Sequence, residues 1–219
     1  MRRAHLALVL AALLLGSASP LRAQLQVEGH LSASTQSLRL LSKIPGENAT
    51  EFTGSATAFD VLAFAPRYRA GLQVQRSAAG ASAPNAGTYR MIAITALVGR
   101  PSLAAEVGLA SRTGYSDQTD RDLEATYRFY RLGGRLTAPL GTTGFSVGAR
   151  ASVYAPADGD SRDGATGMDA GTQLRWTAAR LPLTAVLEYR SERFTVARGV
   201  HQELSVVSLG VGLAFRSAP

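Results

Sequence analysis

The chain has 219 residues, no cysteine, and 23 basic against 16 acidic residues, for a formal charge of +7. Without cysteine it can neither carry a lipoprotein anchor nor use disulfides in an oxidising compartment. Arg2, Arg3 and Arg22 belong to the amino-terminal segment; the other 20 basic residues are scattered rather than gathered in a stripe, which argues against a nucleic-acid surface.

In chain order, the first element is an address. Arg2 and Arg3 precede an apolar run from Leu6 to Leu15, small residues and Pro20 break it, and Leu21-Arg22-Ala23 has the form of a cleavage site. This is the layout of a secretory signal peptide over 1–23, with one mature domain over 24–219. The apolar run is too short for a helix that must span a bilayer.

From residue 24 onward no apolar run suits a membrane helix, and the recurring period is two, which predicts strands. Leu25, Val27 and Leu31 alternate with Gln24, Gln26, Glu28, His30 and Ser32. The stretch 33–65 reads as two strands or as one irregular segment. Over 87–99, Ile92, Ile94 and Val98 compete with Met91, Ala93 and Leu97 for the apolar face. Phe145, Val147, Ala149, Ala151 and Val153 form one face of a middle strand. Leu174 and Trp176 follow, then Leu183, Leu187 and Tyr189. At the carboxyl end Val207, Leu209, Val211, Leu213 and Phe215 oppose Ser208, Gly210, Gly212 and Ala214.

Three features set this pattern apart from a soluble sandwich. Several polar faces are rich in Gly, Ser and Ala, which suits a crowded interior. Aromatics sit near strand ends: Phe64, Tyr68, Phe145, Trp176 and Phe215 toward one side; Tyr89, Tyr127, Phe129, Tyr130, Tyr154 and Tyr189 toward the other. These read as two interfacial belts. Tight turns at 65–67, 99–101, 139–144 and 180–182 alternate with longer polar loops near 41–53, 77–87, 113–122, 156–167 and 192–202. The expected fold is therefore all-β: a single antiparallel up-and-down transmembrane barrel of about ten strands, or eight if 33–65 holds one fewer hairpin. Unpaired backbone is costly in hydrocarbon, so the first strand must pair with the last.

Ser208, Gly210, Leu213 and Phe215 also carry a resemblance. Their order and spacing resemble the assembly signal of bacterial outer-membrane β-barrel proteins: a polar residue, a glycine two later, and bulky residues three and five after the glycine. Here four residues follow the aromatic one. The resemblance implies an outer-membrane location, recognition by the barrel-assembly machinery, and contact with outer-membrane lipids and lipopolysaccharide.

With apolar faces outward, the remaining faces supply the lumen. Glu28, Arg69, Glu106, Arg131, Arg135, Arg150, Arg175, Glu188 and Arg190 are expected to form a charged network there, with Gln73, Gln75 and Gln173 among them. Arginine–carboxylate pairs would fill a narrow barrel; the alternative is a small porin-like channel for hydrophilic solutes. Enzymatic candidates are thin. His30-Leu31-Ser32 invites comparison with lipid A deacylases as base and nucleophile, but its flanking residues do not match and both side chains are expected to face inward. Asp158, Asp160, Asp163 and Asp169 among glycines suggest a calcium loop, yet the spacing misses the EF-hand pattern. His201 with Asp158 and Asp160 lacks the Asp-x-His pair of the omptin proteases, and Asn48-Ala49-Thr50 reads as a plain loop. The expectation is a monomeric outer-membrane barrel in a structural or interaction role, with no cofactor, no metal and no nucleic acid. A lipid-modifying enzyme is the more distant alternative. Val211→Arg is expected to be harmful and Gly212→Ser, facing the lumen, milder.

Overall fold

The computed structural model describes residues 26–43, 45–46, 50–80, 89–113, 126–157, 165–196 and 200–216. The expected signal segment 1–23, the loop aspartates Asp158, Asp160 and Asp163, and Asn48 with Ala49 lie outside them. Ten strands follow in order: β1 Glu28–Lys43, β2 Thr50–Ala65, β3 Ala70–Gly80, β4 Arg90–Arg100, β5 Leu103–Thr113, β6 Thr126–Leu140, β7 Phe145–Pro156, β8 Thr166–Thr177, β9 Leu183–Val196 and β10 Val200–Arg216. Each pairs antiparallel with its chain neighbours, and β1 pairs with β10, so the sheet is a closed barrel. The stretch 33–65 holds two long strands, which settles the count at ten rather than eight.

Register fixes the tilt. Stepping from partner to partner around the barrel from Glu28 passes Phe64, Gly71, Leu97, Glu106, Gly133, Ser152, Asp169, Glu192 and Leu204, and returns to β1 at Leu40. That return is twelve residues beyond the start, a stagger that inclines the strands at roughly 40°. An 11-residue strand such as β4 then reaches about 28 Å along the axis, enough to cross a hydrocarbon core.

The two faces separate by parity. Leu31, Val61, Ile94, Val107, Leu132, Val153, Leu174, Leu187, Leu209 and Val211 all point outward, between 39 and 69 % exposed. On β4, Ile92, Ile94 and Val98 take the outer face while Met91, Ala93 and Leu97 are buried inside, with burial alternating along the strand. The apolar band ends abruptly toward the loop side, where the outward positions become Arg39, Glu51, Arg90, Arg128, Arg193 and Glu203.

Polar outer ends explain one misreading. The spans 41–53 and 192–202 were expected to be loops, yet most of each is strand: β1 runs to Lys43, β2 begins at Thr50, and β9 and β10 leave only 197–199 between them. Arg193–Glu203 and Arg39–Glu51 ion pairs bridge these exposed extensions. Their side chains are polar because the strands there stand in water, beyond the apolar band.

The expected aromatic belts hold on one side only. Phe145, Trp176 and Phe215 are outward and partly exposed at the turn side, with Tyr68 exposed in its turn. Phe64 instead points inward and packs with Leu97 and Ala104. On the loop side only Tyr130 and Tyr189 face out; Tyr89, Phe129 and Tyr154 are buried in the lumen, with Tyr127 packed against them. Their strand parity matches that of the inward arginines, and parity overrides nearness to a strand end.

Candidate functional site

The lumen has two halves. Toward the loop side, Phe129, Tyr154 and Phe194 form a cluster with ring centroids 5.1–5.8 Å apart. Met91, Tyr89, Leu204 and Val206 extend it around the wall. The Arg112 guanidinium sits over the Phe194 ring, 4.3 Å from its centroid. Two hydrogen bonds cross the barrel's full width: Tyr89 Oη, just before β4, donates to Glu192 Oε2 on β9 at 3.0 Å, and Arg112 Nη1 on β5 donates to Gln202 Oε1 on β10 at 2.7 Å. In a ten-stranded ring each of these pairs is five strands apart, on opposite walls. These side chains lie across the loop-side half of the lumen.

Beneath this plug runs a charged layer. Arg131 is 1 % exposed; its Nε donates to Ser152 Oγ at 3.0 Å, and its Nη2 lies 3.1 Å from Glu106 and 3.6 Å from Asp169. Tyr154 Oη donates to Asp169 Oδ2 at 3.1 Å. Arg190 Nε lies 2.8 Å from Glu192. Arg135 Nε donates to Glu106 Oε1 at 2.7 Å, and Arg135 also donates to Gln73, whose amide donates to Asp60 at 2.7 Å. Arg150 Nη2 donates to Glu188 Oε1 at 2.6 Å. Such charges persist in a low-dielectric interior because each guanidinium in these pairs lies against a carboxylate.

Of the nine charged residues expected in the lumen, Glu106, Arg131, Arg135, Arg150, Arg175, Glu188 and Arg190 are inside, and all but Arg175 are joined by ion pairs. Arg69 is not: it caps the short turn at Pro66–Tyr68 in a left-handed conformation (φ 48°), which turns it to solvent. Glu28 sits at the turn-side rim, paired with Arg216 at 2.7 Å. Sequence reasoning missed Asp60, Arg112, Asp169 and Glu192. Asp169 had been grouped with the loop aspartates, but it is 3 % exposed within β8, which removes it from any calcium loop. Among the described residues no group of His, Cys, Asp and Glu could hold a metal ion. His30 and Ser32 face inward, and His201 sits on the exposed outer extension, 3.1 Å from Thr195 Oγ1.

Toward the turn side lies a cavity with about 730 Å³ of atom-free space, part of it open to solvent. Arg135, Arg150, Arg175, Asp60, Glu188 and Gln173 supply most of its charge and polarity; Ser34, Gly148, Gly171 and Gly210 give it room. A Cβ at Gly171 would press on the Tyr189 carbonyl oxygen, 2.9 Å away.

No family model and no curated protein matches the chain. Solved structures of bacterial outer-membrane proteins are similar to it. The translocator domain of the autotransporter NalP from Neisseria meningitidis aligns over 98 % of this chain and 97 % of its own, at 13 % identity and TM-score 0.47. Neisserial surface protein A covers 86 % of this chain and 100 % of its own, at 10 % identity and TM-score 0.40. The NanC porin covers 86 % and 98 %, at 12 % identity and TM-score 0.40. At these scores the likeness is one of general architecture, and the reading of the lumen rests on its own residues.

Proposed function

We propose that this is an outer-membrane barrel with a structural or interaction role, whose lumen is sealed on its loop side and does not conduct. The observation that carries the reading is the cross-barrel plug, in which Tyr89–Glu192 and Arg112–Gln202 tie opposite walls together around Phe129, Tyr154 and Phe194. The outward apolar band supports placement in a bilayer, since a water-exposed surface of this kind would be an aggregation hazard. Arg90, Arg128 and Arg193, outward just beyond that band, lie where phosphates of lipopolysaccharide would meet the barrel. The strand bearing Ser208, Gly210, Leu213 and Phe215 serves as the assembly signal, and the barrel is a monomer.

The test is fractionation followed by planar-bilayer recording. Recovery in the outer membrane with no steady conductance steps from pure protein supports the reading. Recovery in the soluble periplasm overturns the membrane placement, and regular steps overturn the sealed lumen in favour of a small channel for hydrophilic solutes.

A further inference from the structure

The lumen's charges do not quite cancel. Among the described residues six arginines face inward, Arg112, Arg131, Arg135, Arg150, Arg175 and Arg190, against five carboxylates, Asp60, Glu106, Asp169, Glu188 and Glu192. Five of the arginines lie within 4 Å of a carboxylate. The sixth, Arg175, makes no ion pair and no hydrogen bond among the described residues, and its Nε is buried without a partner; Asp60 and Glu188 act on it only through space.

Arg175 is also the arginine nearest the turn-side mouth of the cavity, on β8 two residues before its end, across from Ser146 on β7. Among the neighbouring inward positions at that mouth Ser146, Thr184, Gly212 and Ala214 are small, whereas Val186, directly opposite Arg175, and His30, across from Ala214, are larger. The plug side chains lie across the opposite, loop-side end of the lumen. A partly buried guanidinium with no contact partner leaves its N–H groups unsatisfied, and an anion seated against it would satisfy them. Guanidinium offers a planar fork that takes two oxygens of a carboxylate or phosphate at once. Gln173, two residues away on the same inward face, and the hydroxyls of Ser34 on β1 and Ser208 on β10 add neutral hydrogen-bonding groups around the same space.

We infer that the turn-side cavity is a binding site for a small oxyanion, a carboxylate or phosphate group, held by Arg175 and entering from the periplasmic end. This rests on the sealed-lumen reading only for the direction of entry; the site itself requires only the cavity and an arginine without a contact partner.

The experiment is calorimetric titration of the folded full-length barrel in a neutral detergent. The probes are inorganic phosphate, glycolate and choline, at constant ionic strength set with chloride. Proteins carrying Arg175→Gln, Arg175→Lys and, as control, Arg39→Gln are titrated alongside, with folding verified by heat-modifiable gel mobility. One-to-one binding of phosphate or glycolate is expected, with none of choline. Arg175→Gln should weaken it at least tenfold, Arg175→Lys should retain part of it, and Arg39→Gln should leave it unchanged. Preference for phosphate over glycolate, or the reverse, identifies which oxyanion the site takes. No saturable binding of either anion overturns the proposal, as does binding that survives Arg175→Gln in folded protein. Bilayer recordings separate the two readings: a conducting barrel that still loses anion binding on Arg175→Gln keeps this site while ending the sealed lumen.

Discussion

The ring of Phe215 lies across Gly29, its directly opposed partner at the seam where the last strand meets the first. A Cβ on Gly29 would come within 2.6 Å of Phe215 Cε2 and would also collide with the Leu62 carbonyl oxygen on the other side. The bare glycine makes room for an aromatic cover, an arrangement that shields an otherwise open stretch of backbone and pins register. Phe215→Ala should lower stability by about 1 kcal/mol, the scale of a cross-strand aromatic pair. Gly29→Ala should cost more, and removing the ring should relieve only part of that cost, since Leu62 still crowds the site. Urea titrations of both single variants and the double variant in lipid vesicles measure the coupling; strict additivity would show that the ring and the glycine do not interact. If the assembly machinery reads this strand, Phe215→Ala should also slow folding more in vesicles containing that machinery than in plain lipid.

Val211 and Gly212 are adjacent but face opposite ways. Val211 is 69 % exposed on the outer surface near the middle of the apolar band, so Val211→Arg should cost about 2–4 kcal/mol in a bilayer. Gly212→Ser is not the mild substitution that its inward direction suggests. A Cβ there would run into the backbone oxygen of Leu31 and the Cα of Ser32 on the paired strand. Both variants should therefore fold poorly, but for separable reasons: thinner bilayers should partly rescue Val211→Arg and leave Gly212→Ser unchanged.

Glu192 is fully buried and receives Tyr89 and Arg190, with Arg112 at 4.0 Å. Glu192→Gln leaves two buried guanidinium groups short of a counter-charge, and a loss of about 3–5 kcal/mol is expected. Arg39→Gln breaks only an exposed pair with Glu51 and should leave the unfolding midpoint where it was. Equal effects from the two substitutions, measured by chemical unfolding, would mean that the lumen is wetter than its packing implies.

The plug makes a second electrical prediction. Phe129→Ala with Phe194→Ala removes two of the three clustered rings and the platform under Arg112. Wild-type protein should give no steady conductance, and the double variant should give small, frequent steps, with the folded fraction monitored by gel mobility. Silence from both proteins would place the seal in the cross-barrel hydrogen bonds rather than in the rings.

Much of the architecture could be read from the residues because parity is a local property. Leu209, Val211 and Leu213 show their outward face without reference to any partner, and closure follows from the chemistry of hydrocarbon. What could not be read were facts that depend on where a strand stops. Tyr154 and Phe129 sit near strand ends, as interfacial aromatics do, and only the register shows them turned toward the axis. Glu192 and Asp169 lie beside polar loop residues, so they read as solvent-facing until the strands extend through them. Arg69 has the parity of a lumen residue, but a left-handed turn removes it. The pairing of Arg112 with Gln202 joins positions 90 residues apart, a match that no local pattern encodes.

The ladder between β1 and β10 runs from Glu28 opposite Arg216 to Lys43 opposite His201, and no other pairing in the described molecule is longer. Eight strands separate its two halves along the chain. Until β10 has been made, the edge of β1 that forms this ladder lacks its mate and is open to any other unsatisfied strand nearby. Keeping that edge from the wrong neighbour until the last strand arrives is a demand written into the connectivity itself.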